Sequence, residues 1–121
     1  MRDIKFRGLD VLTGEWVKGS HVQTGTGMHF ILPQNLIADS IPNYYVDNET
    51  VGQYTGLKDK NGKELYFDDC IVFQYGNHKD SLVWDIKYMS DLVYLINEVD
   101  ERGANFEIIG NIHENPELLE V

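Results

Sequence analysis

Four histidines and a scatter of carboxylates are the residues of this chain with the most chemical potential. Histidine titrates near neutrality and is the commonest protein ligand of transition metals. His21 and His29 flank the turn Thr24-Gly25-Thr26-Gly27. With that turn centred on Gly25-Thr26, His21 faces Phe30 and His29 faces Val22, so the imidazoles are diagonal rather than paired. His78 and His113 fall in turns. No second cysteine and no H-x-x-x-H spacing supports a zinc site, so these histidines read as exposed or capping groups and no metal is expected.

Among the acids, Asp59-Lys60-Asn61-Gly62 has the flavour of a calcium loop but lacks the glycine at position six and the glutamate at position twelve. Asp59, Glu64, Asp68 and Asp69 would make a carboxylate cluster for a divalent ion or acid–base work if the fold gathered them. Turn formation explains the same residues more simply, because Asp, Asn and Gly shape tight turns through local hydrogen bonds and tolerance of positive φ. Cys70 lies in an apolar run beside Asp68 and Asp69, the wrong electrostatics for a reactive thiolate. It reads as a small buried hydrophobe. No nucleophile elbow, phosphate-binding loop or dinucleotide glycine motif is present. The residues imply neither a catalytic set nor a cofactor.

The elements that would carry these side chains are mostly strands. Ile4-Lys5-Phe6-Arg7 and Glu15-Trp16-Val17-Lys18 flank Thr13-Gly14 and read as an N-terminal hairpin. A second hairpin joins His21–Gln23 to Met28–Leu32 and ends at Pro33. From Gln34 to Asn48 the pattern has no period, and it reads as an irregular crossing with a helical turn near Asn35–Ala38. Val51–Tyr54 is strand-like, Asn61-Gly62 is a hairpin turn with positive φ at Gly62, and Cys70–Tyr75 has the β-branched and aromatic profile of a buried strand. Ser81–Tyr88 alternates strictly, which predicts a strand with Leu82, Trp84, Ile86 and Tyr88 on its buried face. Leu82, Trp84 and Ile86, with Ile71 and Phe73, are the expected core. Leu92–Ile96 is apolar on both faces and reads as a central strand, Asp100–Gly103 as a loop and Phe106–Gly110 as the last main strand. Asn115-Pro116-Glu117 predicts a short C-terminal helix, from Pro116 to about Leu119.

Three segments of the chain resemble the YopX family of phage and prophage proteins. They are QYTGLKDKNGKELY with its acidic corner and CIV, the opening IKFRGLDVLTGEWV, and the closing IIGNIHENPELL, in the family's order and about 50 residues in all. Two departures stand out: Leu9 occupies a place where the family usually has an aromatic residue, and Asp68-Asp69 stands where the family usually has Gly followed by Asp. The resemblance implies a phage or prophage origin and an SH3-type β-barrel or roll. The family has no established biochemical activity, so the resemblance brings no catalytic residues with it.

Length and composition agree with a small β fold. At 121 residues the chain is expected to form one domain, an N-terminal β portion over about 1–48 and a barrel over about 49–115. The expected class is mainly β, a small antiparallel SH3-type barrel or roll with an N-terminal hairpin portion and a short C-terminal helix. No signal-peptide pattern and no membrane-length apolar run is visible, so a cytoplasmic location is expected. Residues 61–121 hold four Lys/Arg against thirteen Asp/Glu, a net of −9 out of −10 for the chain. Such a surface repels phosphate backbones and makes nucleic-acid binding through that half unlikely.

The expected function is therefore a non-enzymatic binding or interaction module, with Tyr44, Tyr45, Tyr54, Tyr66 and Trp16 as candidate contacts, although each also suits interior packing. Its partner would be another protein or a second copy of the chain, since Val93–Ile96 and the segment from Gln34 to Val46 offer more apolar surface than a small barrel needs to bury. The alternatives are a nucleic-acid-associated phage accessory protein using Arg2, Lys5, Arg7 and Lys18, and an acidic DNA mimic that inhibits a host enzyme. A hydrolase built on the acidic corner is the least supported.

Overall fold

Turn chemistry and short β-branched runs give a mainly β, antiparallel chain with a single α-helix among the described residues. The computed structural model describes residues 4–33 and 45–119. The expected helical turn at Asn35–Ala38 lies outside them. The described residues form two compact units, 1–54 and 55–121, divided within one strand.

In the first unit β1 (Phe6–Leu9) pairs antiparallel with β2 (Trp16–Gln23), and β2 pairs with β3 (His29–Leu32). β2 is one strand from Trp16 through Gln23, so the two expected hairpins share it. β4 (Tyr45–Val46) joins the far side of β3. A 3-10 turn at Asn48–Thr50 follows, and β5 (Gly52–Lys58) begins by pairing Gly52 and Gln53 with Arg7 and Phe6. The Thr50 hydroxyl secures this end by accepting the Leu9 N–H and donating to the Asp47 carbonyl. Ile31 and Val46 are buried here.

In the second unit β5 is followed by β6 (Glu64–Tyr66). The turn between them has Gly62 at φ 82°, as the Asn-Gly pair predicts. Asn61 does not share the positive φ, so this is a longer loop with one left-handed residue and not a two-residue turn. β7 (Asp69–Tyr75) is the central strand, with β10 (Asn105–Asn111) along one edge. β8 (His78–Lys79) and β9 (Trp84–Asp85) pair along its other edge. Leu65, Ile71, Phe73, Ile86, Phe106 and Ile108 form the buried cluster.

The largest departure from expectation is α1 (Met89–Arg102). Leu92–Ile96 is part of this helix, not a central strand. Leu92 and Leu95 enter the core, while Val93, Tyr94 and Ile96 remain exposed. The Asp91 carboxylate accepts the N–H groups of Lys87 and Tyr88 at the helix start. Gly103 ends the helix at φ 66°, and the Ala104 N–H returns to the Glu98 carbonyl. Inside the fold, Glu98 accepts a hydrogen bond from the Tyr75 hydroxyl, which pushes the tyrosine pKa up to about 12.

The expected strand over Ser81–Tyr88 shrinks to two residues. Ile86, Ile71 and Phe73 are buried as expected, but Leu82 is 61% exposed and Trp84 36%. Four alternating residues were too short a template, because β9 pairs with β7 only at Trp84 and Asp85 before the chain turns toward α1. The C-terminal element is a 3-10 turn, Pro116–Leu119.

At the acidic corner Asp68 alone among the described non-glycine residues has positive φ, 76°. It stands at the place where the family pattern has glycine, and an L-residue there is strained by its Cβ. Its N–H donates to Ile86, its carbonyl accepts from Ile112, and its carboxylate meets His113 Nε2 at 2.8 Å. Asp68→Gly and Asp68→Ala both lose the His113 contact, but only glycine relieves the strain. The glycine variant is expected to be the more stable of the two by about 1 kcal/mol in chemical denaturation, and equal stability would contradict a strained corner.

Candidate functional site

Structural roles occupy the carboxylates considered from sequence as a catalytic cluster. Asp59 accepts the backbone N–H groups of Asn61, Lys63 and Ile108. Burial alone would raise its pKa, but these three donors and the Lys63 charge hold it below the usual carboxylate value. Asp69 is buried and accepts the Tyr66 N–H, and Glu64 accepts the Tyr66 hydroxyl. Among the described residues no group of three or more His, Cys, Asp or Glu side chains is arranged so as to hold a metal ion. Burial, then the charges of Asp85, Asp69 and Asp68, push the Cys70 thiol up to about 11, so it is not a nucleophile at neutral pH.

The aromatic contacts expected from sequence are placed differently. Tyr66 is fully buried in the second unit, and Tyr54 is buried in the first with the Lys5 ammonium 5.0 Å from its ring centre. Neither offers surface to a partner, because each is used to pack its own unit. Trp16 is half-buried under the Arg7 guanidinium, 4.2 Å from the ring centre. Tyr45 is half-buried with its ring edge-on to Phe30. Tyr44 lies outside the described residues. Arg7 itself is buried, which removes it from the basic face considered for phosphate contact.

One exposed apolar surface lies on the α-helix of the second unit. Met89 and Val93, 64% and 51% exposed, are followed by Ile96 and Asp100 on one ridge of α1. These positions advance by four, three and four residues, the spacing of one helical face. About 100° around the helix from Val93, the Tyr94 ring lies 5.0 Å from that of Trp84, with the buried Phe73 edge-on to both. On the other flank Ile96 borders an apolar cavity of about 160 Å³ lined by Leu57, Leu95, Val99 and Phe106, with Lys58 and Asp100 at its rim. The surface was missed because residues 92–96 taken alone are five consecutive apolar side chains, and the helical period emerges only over the full 14 residues. The signals that would have found it are Asp91 in the first turn and Gly103 after the last.

The first unit holds a histidine pair. β2 and β3 pair one residue out of the expected register, with His21 opposite Ile31 and Gln23 opposite His29. That shift puts both imidazoles on one face, and His21 Nε2 lies 2.8 Å from His29 Nδ1. They remain diagonal in register, as expected, but the rings share a face and are hydrogen-bonded. Burial, and then His29, lower the pKa of His21.

Among the described residues no helix is long and apolar enough to cross a membrane. No functionally curated protein matches the chain. It is similar to the crystal structure of protein EF1440 from Enterococcus faecalis, with a TM-score of 0.60 and 26% sequence identity over 99% of this chain and 100% of that one. The YopX protein family model matches residues 5–120, and with nearly the whole length covered, this chain belongs to the YopX family.

Proposed function

We propose that this YopX-family protein is a non-enzymatic interaction module whose contact surface is the outer face of α1 with Trp84 beside it. The observation that carries this is the double-sided apolarity of α1. Leu92 and Leu95 satisfy the core, yet Met89, Val93, Tyr94 and Ile96 stay at the surface. An apolar ridge of this kind next to an aromatic pair has the composition of an interface centre.

The partner we infer is a cationic amphipathic segment of another protein. The ridge ends in exposed Asp100 and Glu101, within a stretch of the sequence carrying a net charge of −9. Two copies meeting through this face would bring like charges together, which disfavours self-association there. Nucleic acid is disfavoured by the same charge. Within this proposal the second unit is an SH3-type roll, and the protein is of phage or prophage origin and works in the cytoplasm of the host cell.

A synthetic lysine- and leucine-rich amphipathic helical peptide, titrated against isotope-labelled protein, tests the surface. The amide signals of α1 and the Trp84 indole signal are expected to shift. Met89 and Val93 are more than half exposed, so the double variant M89E/V93E should stay folded, within about 1 kcal/mol of wild type, and lose the shifts. Unchanged signals in α1, or identical peptide binding by the variant, would remove the proposed surface. A dimer mass by light scattering that M89E/V93E returns to monomer would instead make the occupant a second copy.

A further inference from the structure

The ring planes of His21 and His29 differ by only 4°, and their centres are 5.0 Å apart. A face-to-face stack would hold the atoms of the two rings about 3.5 Å or more from one another. The 2.8 Å approach of Nε2 to Nδ1 is too short for that. The centre-to-centre separation is also close to the bond length plus the reach of each ring to its own nitrogen. The imidazoles therefore lie edge to edge in a common plane, each nitrogen aimed along the line to the other. One supplies an N–H and the other a lone pair, with a proton bridging them.

We propose that this pair is a binding site for a monovalent d10 metal ion, cuprous copper or silver, held linearly between His21 Nε2 and His29 Nδ1. A tetrahedral ion needs two nitrogen lone pairs that converge at an angle, away from the line between the nitrogens. Here both lie along that line, the arrangement a two-coordinate ion takes. With imidazole–metal distances of about 2.0 Å, the nitrogens must move apart to about 4 Å, which side-chain torsions on two paired strands provide. The proton balance is simple. The ring that now donates its N–H moves that proton to its other nitrogen, the metal enters where the bridging hydrogen was, and no bond is oxidised or reduced. Phe6 lies 5.4 Å from the His21 ring and covers one side of the site. His29 also borders a cavity of about 220 Å³.

The test uses silver(I), which has no redox chemistry under the conditions, in chloride-free buffer. The full chain carries Cys70→Ala so that the thiol does not compete. Native mass spectrometry is expected to show one silver per chain. Nitrogen-detected imidazole spectra should show His21 Nε2 and His29 Nδ1 both losing their hydrogen-bond signature, with His78 and His113 unchanged. H21Q and H29Q should each weaken binding by more than about tenfold, while H78Q does not. The imidazole spectra are read on the chain with both histidines intact, so the outcome does not depend on the hairpin variants folding. Silver that leaves both imidazoles unshifted, or binds as tightly to H21Q and H29Q, would overturn the proposal. So would zinc(II) binding this pair more tightly than silver, because that would require a bent site.

Discussion

Asp59→Ala is expected to destabilise the fold by about 3–5 kcal/mol. The Asp59 carboxylate is buried and accepts three backbone donors. Two of them, Asn61 and Lys63, belong to the β5–β6 loop and can turn to water when the carboxylate is removed. The third, the Ile108 N–H, lies in a buried hydrogen bond beside the register shift of β10 and has no such recourse. Hydrogen bonds to a charged group contribute about 1.5–3 kcal/mol each, and an orphaned buried donor costs about 1–3 kcal/mol. Asp59→Asn keeps one acceptor oxygen for the Asn61 and Lys63 N–H groups but sets an NH2 donor against the Ile108 N–H, so its loss should be only a little smaller, about 2–4 kcal/mol. The pH dependence follows in sign. The folded pKa of Asp59 lies below its ordinary value, so the stabilisation is complete above that ordinary value, about 3.9. It is lost as pH falls through the lower folded value. Urea denaturation at pH 7 and again near pH 3 should show wild type and Asp59→Asn converging in acid. A gap that stays constant between the two pH values would mean that the Asp59 charge plays no part.

Much of the fold was legible in the chain because local chemistry and tertiary structure agree there. Gly62 has the positive φ that Asn-Gly predicts, and Cys70–Tyr75 is strand throughout. Pro116 opens a helical turn in 3-10 form where Asn115-Pro116 suggested one. The helix was missed because period identifies an element only when one of its faces is polar. Residues 92–96 present five consecutive apolar side chains, so neither a two-residue nor a 3.6-residue period stands out, and β-branched Val93 and Ile96 tilt the reading toward strand. The surface built on α1 was lost with the helix. The histidine pair was lost to a one-residue register shift in the β2–β3 hairpin, which in a strand decides which side chains share a face. The strained corner was half visible: the absence of glycine at Asp68 marked a changed turn, and the structure adds that the left-handed conformation is retained without it.

Phe73→Ala is expected to cost about 3–5 kcal/mol, the usual range for deleting a buried aromatic ring, and Trp84→Ala less, about 1–2 kcal/mol. From sequence the two residues look equivalent, both on apolar positions of strands meant to line one core. Their environments differ. Phe73 is 1% exposed in the middle of β7, and its ring meets Tyr75, Trp84 and Tyr94. Removing it leaves a cavity beneath both the aromatic pair and α1, with Leu92 and Leu95 of the same cluster left short of packing partners. Trp84 belongs to a two-residue strand and leaves 36% of its surface to solvent, so its loss opens a surface notch that water fills. Equilibrium denaturation of the two variants gives the comparison, with the denaturant slope checked to confirm that both unfold in the same two-state manner. The functional consequence runs the other way. Trp84→Ala should retain the fold and lose binding of the cationic peptide, because the ring is half of the exposed aromatic pair. If Trp84→Ala instead costs as much stability as Phe73→Ala, the ring is a core element, and it must be removed from the proposed contact surface.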